Sequence, residues 1–288
     1  MIDVSVIGAG NLGTSLANAL SKKGYKIKAL ASQNFSSARK SSKIIGKGKP
    51  LTDNVQAAKE GKIVFLCLPD EEITKVTKEL ANSDVRWSTK FVFHCSGLLS
   101  AEILKPLKER GACTASMHPI QSFSKKETNP AQFGGIYWGL EGDKKALFLA
   151  RKIIHQLGGH SLIIRQEDKP LYHAACSMAS NFFVVLLNVA FSILRHIGLK
   201  EEQALEYILP LVEGTLHNVK EFGIEASLTG PIMRGDHKSV EKHLKALQTL
   251  PLCHELYVNL GAQALEIAKR KKLPSQKIKA LEHMLGGK

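Results

Sequence analysis

The chain has 288 residues, 44% of them hydrophobic, which is enough for two ordinary domains whose cores need no disulfide or metal support. Its formal net charge of +14 would suit a nucleic-acid-binding protein. However, the lysines are scattered through many predicted helices, aromatic residues make up only 6%, and no nucleic-acid motif is recognisable. We therefore expect a basic solvated surface and no nucleic-acid partner.

The cysteines and the amino-terminal residues indicate the cellular compartment in which the protein is expected. Five cysteines, an odd number without a C-x-x-C pair, lie mostly in apolar runs and are predicted to be core residues in a reducing environment. Residues 1–3 lack both a basic region and a long apolar stretch, so we expect no signal peptide. The sequence predicts a cytoplasmic protein.

A glycine motif near the amino terminus is the most informative stretch of the chain. Residues 4–7 read as a buried strand, the glycines that follow have the spacing G-x-G-x-x-G, and a helical pattern comes next. This order is typical of a dinucleotide site in which the pyrophosphate lies at a helix N-terminus. The predicted cofactor residues are Gly8, Gly10, Asn11, Leu12 and Gly13, with Leu68 and Pro69 at the end of a later strand.

The remaining pattern predicts an α/β half followed by an all-α half. Strands are predicted at residues 26–31, 63–68, 91–94, 114–116, 136–139 and 161–164, with a short element near residue 51. Helices are predicted between them, including 36–45, 54–59, 101–110, 144–157 and one capped by Asp70 that runs to residue 81. This alternation predicts a doubly wound, mainly parallel sheet of the Rossmann type. We expect a dinucleotide-binding domain at 1–166 and a helical substrate and dimerisation domain at 167–288.

The residue that would meet the adenosine ribose indicates which nucleotide binds. NAD-binding versions of this unit carry an acidic residue about 20 positions past the glycines, whereas this chain has Ser32 there. No carboxylate would repel a 2′-phosphate, and Ser32 can donate a hydrogen bond to it. We predict NADP(H) rather than NAD(H). Arg39 is either a second phosphate ligand or an exposed helix residue.

One segment challenges the prediction of a soluble protein. Residues 174–194 are nearly all apolar and long enough to span a membrane, but Asn181, Asn188 and several serines interrupt them. Polar groups are costly in hydrocarbon. We therefore expect a fully buried central helix, at a subunit interface of a homodimer, and no membrane span.

Four further segments carry a family resemblance: residues 95–98, 116–123, Lys169 with 172–175, and 228–236. Together with the glycine motif they resemble the Rossmann-like oxidoreductases whose helical C-terminal half is catalogued as a domain of unknown function. That group is similar in architecture to 6-phosphogluconate and β-hydroxyacid dehydrogenases, pyrroline-5-carboxylate reductase and ketopantoate reductase. The resemblance covers nearly the whole chain. It implies hydride transfer and a helical domain of the 6-phosphogluconate dehydrogenase type.

Two strand ends supply the first candidate catalytic residues. Ser96 and Gly97 follow the predicted strand 91–94, and His118 ends the next strand, at the edge where open α/β sheets bind ligands. Ser96 and His118 are similar to a serine and a histidine that prephenate dehydrogenases present to substrate beside the nicotinamide. Alternatively, His118 bonds the backbone where a strand ends. We assign Ser96 and His118 as catalytic and Gly97 as substrate-binding.

A helix near the domain junction supplies further candidates. Lys169, His173, Ser177 and Asn181 recur every four residues and therefore share one helix face. In β-hydroxyacid dehydrogenases and ketopantoate reductases, a Lys-x-x-x-Asn pattern supplies a lysine proton donor and a substrate-binding asparagine. Here His173 replaces that asparagine and Pro170 follows the lysine. Whether Lys169 or His173 donates the proton is left open, and Asn181 is assigned to substrate binding.

The segment 228–236 resembles the substrate-side loop of pyrroline-5-carboxylate reductases. Arg234 either binds a substrate carboxylate or pairs with a neighbouring helix, and Asp236 is predicted to cap the helix that follows. The remaining histidines lack the grouped spacing of a metal site, so no metal is predicted.

These residues lead to three hypotheses for the function. The preferred one is an NADPH-dependent reductase of a small carboxylated carbonyl compound, with a ketopantoate-like 2-keto acid as substrate. In the second hypothesis the substrate is a cyclic imine, as in pyrroline-5-carboxylate reduction. In the third, the chain is a nucleotide-binding regulatory protein without turnover.

Overall fold

The structure, a computed structural model, describes residues 2–126 and 130–286 of the chain. The chain divides into two compact units, residues 1–181 and 182–288. The predicted boundary at residue 166 differs from this division because the helix that follows it buries Lys169 in the first unit.

The first unit is built on one eight-stranded sheet of order β3-β2-β1-β4-β5-β6-β7-β8. Neighbouring strands are parallel except for the antiparallel pair β6 and β7. The expected mainly parallel sheet is therefore confirmed. The strands are β1 (Asp3–Ile7), β2 (Lys26–Ala31), β3 (Lys49–Leu51), β4 (Ile63–Leu66), β5 (Phe91–His94), β6 (Cys113–Pro119), β7 (Tyr137–Gly142) and β8 (His160–Ile163).

Helices cover both faces of this sheet. They are α1 (Asn11–Lys22), α2 (Phe35–Ile45), α3 (Asn54–Glu60), α4 (Asp70–Ala81), α5 (Lys105–Glu109), α6 (Lys144–Leu157) and α7 (Lys169–Ala179). One core contains residues of α1, α2 and α6, and a second contains residues of α3, α4 and α5. The central strands are buried on both sides, which is why they read as continuous apolar runs.

Strands β1 and β4 are adjacent in the sheet, and the strand order runs outward from them in opposite directions. β2 and β3 lie beyond β1, and β5 to β8 lie beyond β4. In doubly wound sheets, ligands bind in the crevice outside the carboxyl ends of the strands at this switch point. The glycine turn after β1 lies at that place. The fold therefore positions the predicted site where its architecture leaves room for one.

Two local predictions differ from the structure. The predicted helix 101–110 is a 3₁₀ turn at Ala101–Leu104 followed by the short α5, and Pro106 lies in the first turn of α5. Asp70 does not cap α4, because Pro69 occupies the cap position and Asp70 is the first helical residue. At this position its carboxylate still interacts favourably with the positive end of the helix dipole.

The second unit is helical throughout its described residues. Its helices are α8 (Asn181–His196), α9 (Glu201–Phe222), α10 (Ile224–Ser227), α11 (Pro231–Arg234), α12 (His237–Ala246), α13 (Pro251–Arg270) and α14 (Ser275–Met284). A small core joins α12, α13 and α14 through Val240, Leu265 and Leu281. Asp236 caps α12, as predicted, by accepting a hydrogen bond from the Ser239 amide at 3.1 Å.

The expected burial of the apolar helix is wrong for the single chain. No described side chain of α8 is buried, and Phe182 and Val184 are 60% and 64% exposed. The helical stretch Gln166–His196 contains an 18-residue window with a mean hydropathy of 1.8, which is long and apolar enough to cross a membrane. No described part of the chain therefore buries the apolar side chains of α8.

The glycine turn gives a stability prediction. Gly8 has a φ of +104°, and a Cβ at this position would overlap the carbonyl group of Cys67. We expect Gly8→Ala to lower the free energy of unfolding by about 1–3 kcal/mol, as overpacking does, in a chemical denaturation experiment.

Gly10→Ala is the matched control, because Gly10 has a φ of −78° and a Cβ there would meet no atom within 4 Å. It should leave the free energy of unfolding almost unchanged. Equal stability of the Gly8→Ala variant and the wild type would contradict the described turn.

Candidate active site

The glycine turn provides an anion-binding helix end. Helix α1 begins at Asn11, and its N-cap residue Gly10 has no side chain to accept hydrogen bonds from the first-turn amides. A Cβ at Gly13 would overlap the Gly8 carbonyl oxygen, whereas the space beside Gly10 is open. These features fit a pyrophosphate, which needs close approach to the backbone and free amides at the positive helix end.

The other predicted cofactor residues surround this turn. Ser32 follows β2, and its amide donates a hydrogen bond to the Leu51 carbonyl at 3.1 Å. Arg39 is exposed on α2 and has no carboxylate partner among the described residues. Leu68 lies beside Gly8, and Pro69 is the N-cap residue of α4. Ser32, and not a carboxylate, occupies the position after β2, while the Glu72 carboxylate accepts a hydrogen bond at 3.1 Å from the side-chain amide of the next residue, Gln33.

A buried lysine lies at the carboxyl ends of β5 and β6. The Lys169 side chain at the start of α7 is 2% exposed, and its ammonium donates to the Ser116 hydroxyl at 2.5 Å and to the Ser96 carbonyl at 3.4 Å. Burial lowers the pKa of Lys169 from 10.5 to about 8, although Glu141 and Asp70 act in the opposite direction. A lysine with such a pKa is suited to proton transfer near neutral pH.

His118 at the end of β6 is paired with a tyrosine. Its Nδ1 is 2.7 Å from the Tyr172 hydroxyl, and the two rings meet edge to face with centroids 5.6 Å apart. Burial and the charge of Lys169 lower the pKa of His118 to about 4. The ring is therefore neutral at pH 7. Nε2 has no partner among the described residues and is open to solvent.

Gly97 makes room for the two histidines. A Cβ at this position would lie within 3.0 Å of the rings of both His118 and His173, whose centroids are 6.1 Å apart. Only a glycine lets the backbone after β5 approach these rings so closely. Gly97 therefore contributes to the site by the space it leaves.

The structure gives Ser96 a backbone role. Its hydroxyl accepts hydrogen bonds from the amides of Leu98 and Leu99 at 3.1 and 2.9 Å. Neighbouring His94 is fully buried and bonds the backbone through both ring nitrogens. Burial lowers its pKa to about 3, so the ring is neutral. Both residues shape the turn after β5.

A cleft of about 710 Å³ opens beside these groups within the first unit. None of its described lining residues is a carboxylate, so this lining is suited to an anionic molecule. Of the predicted helix-face residues, His173 and Ser177 of α7 line the cleft together with Asn181, which begins α8, whereas Lys169 is not among the lining residues. The polar lining includes His118, Tyr172, His173, Ser177 and Asn181.

Arg234 lies in the second unit, where it is exposed at the end of α11. Its main-chain carbonyl accepts a hydrogen bond from the Lys277 ammonium at 2.9 Å, and its side chain makes no ion pair within the described part of the chain. Its role in substrate binding stays a prediction. No group of three or more potential metal ligands occurs within residues 2–126 and 130–286.

Ser116 and Tyr172, which contact Lys169 and His118 in the structure, are absent from the site predicted from the sequence. Ser116 lies two residues before His118 on β6, and alternation along a strand places both side chains on the same face. Tyr172 lies three residues after Lys169 on α7, which places it on the same side of the helix. Both spacings can be read in the sequence. They do not show that Ser116 contacts Lys169 or that Tyr172 contacts His118.

The His118 environment gives a titration prediction. We expect the ring to titrate near pH 4 in a histidine ¹⁵N NMR experiment, with the signal identified by its loss in His118→Ala. Lys169→Met removes a nearby positive charge and should raise the pKa of His118 toward its ordinary value. Lys62→Met, at the opposite ends of the strands, is the charge-matched control and should not move it. A wild-type titration near pH 6.5 would show that the described burial is incorrect.

The comparisons with known proteins agree with this fold. The profile of the Rossmann-like domain matches residues 1–119, and that of the domain of unknown function DUF2520 matches residues 136–283. A comparison with curated protein sequences gives no match.

Solved structures match nearly the whole chain. Protein TM1727 from Thermotoga maritima is 31% identical, with a TM-score of 0.72, over 94% of this chain and 100% of that one. A putative NADP oxidoreductase from Bacteroides fragilis is 23% identical, with a TM-score of 0.77, over 92% and 98%. The Plasmodium falciparum pyrroline carboxylate reductase with NADP bound is 16% identical, with a TM-score of 0.59, over 97% and 98%. The profile match over more than half of its residues shows that the chain belongs to the DUF2520 family, with a Rossmann-like domain at its amino end.

Proposed function

We propose that this protein is an NADP(H)-dependent oxidoreductase that reduces a small carboxylated carbonyl compound, with a 2-keto acid similar to ketopantoate as the preferred substrate. The observation that carries the proposal is the buried Lys169 ammonium bonded to Ser116, beside a cleft whose described lining includes histidines and no carboxylate. Perturbed titratable groups next to a cleft are typical of active sites.

The cofactor assignment is supported by the glycine turn and by Ser32. The turn fits a pyrophosphate, and Ser32 follows β2 where NAD-binding versions of this unit carry an acidic residue. Similar folds belong to a putative NADP oxidoreductase and to a reductase with NADP bound. When bound, the reduced nicotinamide supplies a hydride to the electrophilic carbon of the substrate.

The side chains of the cluster supply the proton and the orientation. The pKa of Tyr172 is raised by burial, so its hydroxyl stays protonated and can donate to Nδ1 of neutral His118. His118 then carries its proton on Nε2 and donates it to the substrate oxygen as a hydrogen bond. Lys169 provides positive charge and the transferred proton, which together with the hydride converts the carbonyl to an alcohol. His173 on the cleft wall is the alternative proton donor.

The substrate class is tested by following the absorbance of NADPH with a panel of 2-keto acids, aldehydes and cyclic imines, and by repeating each assay with NADH. We expect oxidation of NADPH with 2-keto acids and weaker activity with NADH. Activity with imines alone would support the alternative reductase of the pyrroline-5-carboxylate type. Tight NADPH binding without turnover would support a regulatory role.

Lys169 gives the mechanistic prediction. Lys169→Met should lower kcat by about 10²–10⁴-fold, the usual contribution of a general acid, with little change in the Kd for NADPH. In the wild type, kcat should fall as the pH rises through about 8, because the ammonium then loses its proton.

Two variants serve as comparisons for this prediction. Lys62→Met removes the same charge outside the cleft and should retain wild-type kcat. His173→Ala distinguishes the two candidate donors. If only that variant loses turnover and Lys169→Met keeps it, the proton comes from His173.

We also propose that the exposed apolar face of α8 packs against a second copy of the chain. Contiguous apolar surface of this kind marks an interaction site, and Asn188 and Ser192 make burial in lipid costly. We expect a dimer in detergent-free buffer by sedimentation velocity. Val184→Glu should dissociate it, because it buries an unpaired charge.

Phe148→Glu on α6 is the matched control. Phe148 is 74% exposed, and the change adds the same charge on a different helix. The control should remain dimeric. A protein that requires detergent for extraction would instead indicate that α8 lies in a membrane.

A further inference from the structure

The segment that follows β6 connects the cleft to the glycine turn. Ile120, Gln121 and Ser122 line the cleft. The next residue, Phe123, accepts a hydrogen bond on its carbonyl oxygen from the Asn11 amide nitrogen Nδ2 at 3.1 Å. Asn11 is the first residue of α1, so this segment is fixed beside the predicted pyrophosphate position.

Lys126 extends from this segment to helix α2. Its ammonium donates to the Ser37 carbonyl at 3.2 Å, the Ser37 hydroxyl at 2.9 Å and the Ser41 hydroxyl at 3.0 Å. Both of these hydroxyls lie 3.2 Å from the carbonyl oxygen of Ala9, which is in the glycine turn. The ammonium is thus held on the face of α2 that contacts this turn.

Lys126 has no charged partner within residues 2–126 and 130–286. Its hydrogen-bond acceptors in this part of the chain are three neutral oxygens, and no carboxylate there pairs with it. Burial and the nearby charge of Lys40 lower its pKa. An anion at this position would relieve the repulsion between the two ammonium groups.

We propose that Lys126 is a phosphate ligand of the bound dinucleotide. This inference rests on the proposed function. The dinucleotide offers two sources of phosphate near the glycine turn and α2, its pyrophosphate and its 2′-phosphate. Lysine acts on either as a compact point charge on a flexible stem. Lys126 comes from the same chain segment as the cleft residues, so the nucleotide site includes a residue far from the glycine motif in sequence.

The test measures the Kd of NADPH and NADH by calorimetry for wild type, Lys126→Met and Lys126→Arg, with Lys62→Met as the charge-matched control. Lys126→Met should weaken NADPH binding at least tenfold and flatten its dependence on salt concentration, because one cation fewer meets phosphate. Lys126→Arg should recover most of the affinity, and Lys62→Met should equal the wild type. Thermal unfolding verifies that each variant is folded.

The two nucleotides separate the two phosphate sources. Equal weakening of NADPH and NADH assigns Lys126 to the pyrophosphate, and weakening of NADPH alone assigns it to the 2′-phosphate. Unchanged affinity for both, when the wild type binds, overturns the inference and leaves the proposed function intact. If the wild type binds neither nucleotide, the proposed function and the inference both fail.

Discussion

The site depends on the burial of one ammonium group. Lys169 is removed from solvent at the start of α7 and bonds the Ser116 hydroxyl and the Ser96 carbonyl. The neutral oxygens replace only part of the stabilisation that water gives an ammonium group. The lowered pKa of Lys169 corresponds to a free-energy cost for the charged form of about 3 kcal/mol, at 1.36 kcal/mol per pKa unit. Such a cost is commonly found where a protein needs a reactive group.

The same charge organises its surroundings. Lys169 helps to keep His118 and His94 neutral, so the three basic side chains do not repel one another as cations. Ser116 and His118 are two residues apart on β6, so their side chains lie on the same face of the sheet. Helix α7 contacts that face with Lys169 and Tyr172, one bonded to each of the two strand residues. Two hydrogen bonds thus fix the helix to the strand end.

Glycine has two different uses in this site. At Gly8 the backbone adopts a positive φ and passes close to β4, which only a residue without Cβ tolerates. At Gly97 the requirement is space for two imidazole rings. The first use follows from a local motif and is readable in the sequence. The second depends on α7 and β6, which are distant in the chain.

The sequence by itself determined the elements whose signal is local. The predicted strands 26–31 and 91–94 and the predicted helix 144–157 coincide with β2, β5 and α6, because hydrophobic periodicity and glycine spacing act over a few residues. Only the tertiary structure decided that Lys169 is buried against Ser116, that Tyr172 contacts His118 and that Lys126 reaches α2, 85 to 89 positions away. Such contacts depend on how separate elements pack. For the same reason, the composition of α8 predicts that its apolar surface will be covered but does not specify by what.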